Sequence, residues 1–259
     1  MTLTVRDKVK RTAGQIACLA PQARYDRGIL VLSHMRAATT ALSNVICSHG
    51  AVSGYGETHV PHHSRMSPGL VIVNLALRRA YSPGAEFFFD KVLHNRLDIA
   101  PPPAFYQARA IFMIRRPAPA VKSISNLAAK TGMAEYVPAN GAATYYAERV
   151  EHLSDLWDSF APEKKLGLTA EALLTDPEAQ VARIGGWLSL TPELKNEYVS
   201  HGATQKGGGG DPLRSAGLTQ IEASPKPEDT SAVDGVSDAL SERCHAAFEA
   251  LVTKFGAAT

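Results

Sequence analysis

Arg36, Thr39 and Thr40 stand in the segment ILVLSHMRAATTALSN, Ile29 to Asn44, where an apolar run passes through a turn of small residues into a helical pattern. Such a turn binds anions. The first backbone N–H groups of a helix have no intrahelical partner and carry partial positive charge, so they receive phosphate or sulfate oxygens. Arg36 and the two Thr hydroxyls add side-chain donors, and Ala37 and Ala38 leave room. A second segment, AIFMIRRPAPAVKSISN from Ala110 to Asn126, repeats the plan. Arg115 closes an apolar strand, Pro117 suits the first turn of a helix, and Ser123 follows about two turns in. Arg115 and Ser123 can together hold one anion. For the first segment the plainer alternative is a strand, turn and helix in which Thr39 or Thr40 serves only as a cap. A nucleoside-triphosphate loop of the form GxxxxGK[ST] is excluded, because neither Gly nor Lys occurs between Ser33 and Asn44.

The elements that must position these residues follow from periodicity. Ile29, Leu30, Val31 and Leu32 read as a strand covered on both faces, and Ala41, Leu42, Val45 and Ile46 as the buried stripe of the next helix. Ala120, Val121, Ile124, Leu127 and Ala128 mark the stripe of the second, while FFFDK, within Glu86 to Leu97, reads as another buried strand ending in charge. Asn140 to Phe160 carries Tyr146, Val150, Leu153, Leu156, Trp157 and Phe160 at helical spacing. Ser237 to Phe255 reads as a terminal helix with Ala247, Phe248, Leu251 and Val252 inward. The expectation is an α/β fold: one domain over 1–259, a mainly parallel central sheet of about five strands, helices on both faces, and ligand loops at the carboxyl ends of the strands.

Whole-chain quantities bound the function. The 259 residues, 45% hydrophobic and 20% charged, suffice for a sizeable core. No apolar run approaches a membrane span and MTLTVRDKVKR lacks the apolar region of a secretory signal, so a cytoplasmic location is expected. A net charge of +2 is too small and dispersed to imply nucleic acid as a partner. The three Cys residues lack metal-ligand spacing and read as free thiols. His59, His62 and His63 form an HxxHH cluster, but no Cys or Asp lies nearby to complete a zinc site, so no metal is expected.

With both anion segments in view, the chain resembles the sulfotransferases that use 3′-phosphoadenosine 5′-phosphosulfate (PAPS), in its bacterial and tyrosylprotein-sulfotransferase-like branch. SHMRAATTALSN is similar to that family's 5′-phosphosulfate loop, with Arg36 in the Lys or Arg place and Thr39 and Thr40 in the Thr places. RRPAPAVKS, Arg115 to Ser123, is similar to its 3′-phosphate signature of Arg, Pro and Ser. The resemblance implies a P-loop-like sulfotransferase fold in which the two sites grip the two ends of one nucleotide. The chain departs from the pattern at Ala37 and Ala38, where the family usually has Ser-Gly; Ala accepts only ordinary φ without a cost on the order of 1 kcal/mol.

The resemblance also implies roles beyond the two cradles. GET, Gly56 to Thr58, looks like the stretch that supplies a catalytic Glu, which makes Glu57 the candidate base for an acceptor that must lose a proton as it attacks sulfur. His59 is the rival, since cytosolic members use a His at a comparable stage and neutral imidazole can accept a proton. Lys91 resembles the cation that faces the transferring group, where it would stabilise charge gathering on the bridging and phosphate oxygens; the alternative is a surface Lys paired with Asp90. Ala170 occupies a place where the family often has a nucleotide-contacting Tyr, followed by Glu171 and Leu173.

His201 to Ser215 holds four consecutive glycines and few apolar residues, so it reads either as a flexible linker or, by resemblance, as a basic loop in which Lys206, Gly207 and Gly208 cover the 3′-phosphate. The expected layout is an N-terminal helical extension over 1–24 and a mobile nucleotide-covering loop over 200–230. The implied reaction moves a sulfuryl group from PAPS to a hydroxyl or amine, releasing adenosine 3′,5′-bisphosphate. A small-molecule acceptor is favoured, with no nucleic acid, no membrane span and no metal, and with room left for a homodimer. Two other classes stay open: a phosphotransferase on a related fold, and a non-catalytic nucleotide-binding relative.

Overall fold

Three apolar runs form the centre of a five-stranded sheet in the computed structural model of the protein, which describes residues 12–202, 217–224 and 231–257. The strands are β1 (Gly28–Ser33), β2 (Val52–Ser53), β3 (Phe87–Val92), β4 (Arg109–Ile114) and β5 (Lys165–Thr169), in the order β2-β3-β1-β4-β5. Every pairing is parallel, with Leu32 facing Val92 on one side and Phe112 on the other. All six residues of β1 and of β3 are buried, as a strand covered by helices on both faces requires.

The helices are α1 over residues 12–17, α2 (Thr39–Ser48), α3 (Ser67–Leu77), α4 (Pro117–Thr131), α5 (Ala139–Ser159), α6 (Ala170–Thr175), α7 (Pro177–Leu188) and α8 (Asp238–Gly256). Side-chain alternation along the strands divides the core in two. Ile29, Val31, Phe89, Ile111 and Met113 face Leu42, Val45 and Ile46 of α2 and Val181, Ile184 and Leu188 of α7. Leu30, Leu32, Phe88, Ala110 and Phe112 face the stripes of α3, α4, α5 and α8, where Tyr146, Val150, Leu153 and Trp157 meet Phe248 and Leu251. Val252, expected inward, is only partly buried at the margin of that core. At the sheet's two edges, β2 is two residues long, and the Gly167 carbonyl of β5 accepts Arg183 Nη1 at 3.2 Å.

The strand order fixes where a ligand can sit. After β1 the chain runs to β2 and β3 on one side of β1, whereas after β4 it runs to β5 on the other. The carboxyl ends of β1 and β4 therefore flank the crevice that such a reversal of direction opens. Among the described residues no helix is long and apolar enough to cross a membrane. Lys206, Gly207 and Gly208, the residues 1–11 of the expected extension, and all of the expected loop over 200–230 except 200–202 and 217–224 lie outside the described residues.

Candidate functional site

The turn after β1 follows a course that L-residues resist. Arg36 has φ 67° and Ala38, the residue before α2, has φ 60°. Ala38 stands where the resembled loop carries Gly, and it adopts the left-handed conformation Gly would take freely, at a cost on the order of 1 kcal/mol. The departure Ala37-Ala38 thus leaves the backbone course of a Gly-bearing turn in place. Surrounding groups hold it: Met35 N–H donates to the Tyr145 hydroxyl at 2.9 Å, and that hydroxyl donates to Leu93 O at 2.7 Å. Burial pushes the Tyr145 phenol up, so it stays a hydroxyl.

The turn after β4 is built differently. Arg116 is extended, at φ −49° and ψ 143°, and Pro117 opens α4 at a first-turn position, where its missing N–H costs no hydrogen bond. Arg116 N–H donates to the Glu171 carboxylate at 2.9 Å, so Glu171 braces this turn from α6. Ala170, in the place of the expected Tyr, is fully buried in the core.

The two turns adjoin. β1 and β4 are hydrogen-bonded neighbours, about 4.8 Å apart, so the loops leaving their carboxyl ends begin side by side. Arg36 Nε donates to Ser123 Oγ at 2.9 Å, and Arg115 Nη1 donates to Arg36 O at 3.0 Å. The residues read from the sequence as grips on the two ends of a nucleotide thus adjoin in one continuous cationic wall. Its centre is His34, fully buried at the end of β1. Its Nδ1–H donates to Met35 O at 2.8 Å, and its Nε2 accepts Arg115 N–H at 3.0 Å, which assigns a neutral ring. Burial, with Arg115 and Arg149 adding to it, lowers its pKa to about 4.

Beside this wall lies a second group of charges. Lys91 is 2% exposed, and its Nζ is 3.4 Å from Glu57 Oε1 and 3.4 Å from Thr40 Oγ1. The pairing of a surface Lys91 with Asp90 does not form, because successive strand residues point to opposite faces. Asp90 turns instead toward the loop before α3, where it accepts Thr58 N–H at 2.9 Å, Thr58 Oγ1 at 2.8 Å and His62 Nε2 at 3.0 Å. Glu57 is thereby pinned on both sides, since Lys91 N–H also donates to Gly56 O at 3.2 Å. His59 Nδ1 is 3.8 Å from Glu57 Oε2 with a half-exposed side chain, so the two rival bases sit together. The HxxHH imidazoles diverge: His59 to Glu57, His62 to Asp90 and Tyr25, His63 to Arg96 O.

One buried cation ties the site's floor together and was not read from the sequence. Arg149, fully buried on α5, donates to Ser33 O, Val92 O, Asn95 Oδ1 and both oxygens of Asp98, at 2.7 to 3.0 Å. These five bonds use all five guanidinium N–H groups. Burial by itself would raise the Asp98 pKa, but the Arg149 guanidinium outweighs it and holds the carboxyl below its ordinary value. The signal was present in the chain: Arg149 falls on the apolar stripe between Tyr146 and Val150, where an unpartnered cation could not be buried.

Comparisons with known proteins fit this geometry. A sulfotransferase family model matches residues 76–193, the stretch holding Lys91, Arg115 and Ser123. The fold is that of solved sulfotransferase domains. One, from the olefin synthase of Synechococcus PCC 7002, shares 15% identity at a TM-score of 0.57, over 86% of this chain and 94% of that one. Another, from the curacin biosynthetic pathway, shares 13% identity at a TM-score of 0.52, over 86% and 96%. No curated protein sequence matches the chain at a significant level.

Proposed function

We propose that this chain, which matches a sulfotransferase family model over residues 76–193 and has the fold of sulfotransferase domains, moves a sulfuryl group from PAPS to a hydroxyl or amine of a small molecule and releases adenosine 3′,5′-bisphosphate. The observation that carries the proposal is the junction of the two anion turns through Arg36, Ser123 and Arg115, set directly beside the buried Glu57–Lys91 pair. Two adjoining cationic turns suit a ribose that bears phosphate groups at both its 3′ and 5′ positions. The family match covers the second turn and Lys91, whereas the first turn and Glu57 lie outside it and enter on their motif resemblance and on geometry.

In this reading the amides opening α2, with Arg36, Thr39 and Thr40, hold the phosphosulfate, and Arg115 with Ser123 holds the 3′-phosphate. Glu57 takes the proton of the acceptor as its lone pair forms the new bond to sulfur. The bond from sulfur to the bridging oxygen breaks, and its electron pair stays on the nucleotide's 5′-phosphate. Lys91 and Arg36 stabilise that charge more in the transition state than before it. Lys91 starts from contact with Glu57, so the approach of an anionic donor draws the ammonium toward phosphate and leaves the carboxylate to act as base. The scheme uses no metal ion.

A thermal-shift series with adenosine 3′,5′-bisphosphate, ATP, ADP and AMP tests donor recognition, because a ligand bound only by the native state raises its melting point. The bisphosphate should shift the protein well beyond the other three; equal shifts would argue for a general nucleotide site. Metabolite extracts incubated with radiolabelled donor then report transfer. The Glu57→Gln protein should bind the bisphosphate as the parent does yet transfer label about 10²–10⁴-fold more slowly, and an unchanged rate would remove Glu57 from the mechanism.

A further inference from the structure

We infer that His34 is a positioning residue for the sulfuryl donor, whose ring sets the spacing between the two anion turns through the hydrogen bond from Arg115 N–H to Nε2. The inference rests on the donor-binding reading above.

A polar ring at the end of an apolar strand, with no exposed surface, is unfavourable unless both nitrogens are satisfied. Here they are satisfied by the backbones of two different turns: Nδ1–H by Met35 O, one residue before Arg36, and Nε2 by the N–H of Arg115 itself. The Arg115 peptide is held on its other side too, because Tyr146 Oη donates to Arg115 O at 2.7 Å. The Tyr146 ring packs edge-on against His34, with centroids 4.7 Å apart. The assembly runs without a break from the first turn, through the imidazole, to the peptide that carries the second turn's guanidinium. That guanidinium then returns to Arg36 O. Displacing the Arg115 peptide would move the 3′-phosphate ligand relative to the 5′ cradle, and a rigid doubly anionic ligand senses such displacement more than either charge alone.

The two nitrogens can be tested apart, because an amide side chain reproduces one position at a time. In His34→Gln the amide oxygen occupies the Nε2 place and can accept Arg115 N–H. In His34→Asn the amide nitrogen occupies the Nδ1 place and keeps only the bond to Met35 O. Adenosine 3′,5′-bisphosphate is titrated calorimetrically into the full-length parent and both variants, with ligand-free melting curves run in parallel. His34→Gln should stay within about threefold of the parent affinity, whereas His34→Asn should lose about tenfold. A merely structural role would lower both melting points without separating the two affinities.

Equal affinities for the two variants, or an undiminished affinity in His34→Asn, would overturn the inference. Hydrogen exchange at the Arg115 amide, measured without nucleotide, supplies an independent arm. Exchange should quicken in His34→Asn and not in His34→Gln, and an unchanged rate in His34→Asn overturns the latch even if affinities differ. Failure of the parent to bind the bisphosphate, with the exchange pattern as expected, overturns the donor reading and leaves the latch as a structural bond only.

Discussion

The two anion turns have the same plan, strand into turn into helix, and reach it by opposite means. The turn after β4 uses a residue that prefers its conformation: Pro117 presets the first turn of α4. The turn after β1 uses residues that do not, placing Arg36 and Ala38 at positive φ, and it is held by bonds from elsewhere: Tyr145, His34, the Arg115 guanidinium and, beneath them, Arg149. A locally favoured turn survives the loss of a neighbour. An imposed one depends on its clamps, so the first turn should be the more sensitive of the two to distant change.

The sharpest way to break the comparison is to remove a clamp. Arg149→Ala leaves the buried Asp98 with His152 alone and removes the guanidinium from Ser33 O and Val92 O, and it should cost about 3–5 kcal/mol in urea unfolding. Arg149 touches the ends of β1 and β3 and not that of β4, so the surviving fold should show faster amide exchange at Met35 to Ala38 than at Arg115 to Ala118. Equal loosening of both turns would refute the asymmetry.

Acid tests the same clamps less severely. The His34 pKa is lowered to about 4 in the folded chain, against an ordinary value of 6.5. Above pH 6.5 the ring is neutral in both states and contributes no pH dependence. Between pH 6.5 and 4 only the unfolded chain takes up the proton, so stability falls through that window, by on the order of 3 kcal/mol from this group. His94, also lowered to about 4 chiefly by its burial, acts in the same direction but is partly exposed. Asp98 works on a lower range, losing its contribution below the ordinary carboxylate pKa. Melting temperatures between pH 7 and 4 should fall less in His34→Gln than in the parent; matching slopes would exclude His34 as the source.

The smallest effects address the turns themselves. Ala38→Gly relieves a left-handed Ala and should stabilise by about 1 kcal/mol. Pro117→Ala should destabilise by about 0.5 kcal/mol through a freer unfolded chain. Denaturation midpoints moving in opposite directions would sharpen the contrast, and movement in the same direction would weaken it.

What the chain revealed in advance follows from what is local. The apolar runs at Ile29–Leu32 and FFFDK, the proline at 117 and the helical stripes are written in consecutive residues, and they form β1, β3, α4 and α5 as expected. The candidate site residues were singled out for the same reason, since Arg36, Glu57, Lys91 and Arg115 lie near strand ends or in the turns beside them and Ser123 lies in the helix that follows. The pairings between them were not. That Lys91 meets Glu57 while Asp90 meets His62 depends on which face of β3 each residue takes. That Arg36 touches Ser123 depends on β1 and β4 being neighbours, a property of strand order. The partners of His34 and Arg149 went unread because Arg115 N–H, Ser33 O, Val92 O and Asp98 lie on distant segments, even though the place of Arg149 on an apolar stripe marks it as a buried cation.

The edges of the sheet bear on how copies of this chain could meet. Two residues give β2 almost no ladder for an incoming strand, and on the far side Arg183 already occupies the Gly167 carbonyl of β5. Among the described residues β2 is too short to offer the long run of vacant amides that lets one sheet grow into another, and β5 has one of its carbonyls taken. Contacts through helix faces, side chain against side chain, are sensitive to single surface substitutions in a way that backbone pairing is not.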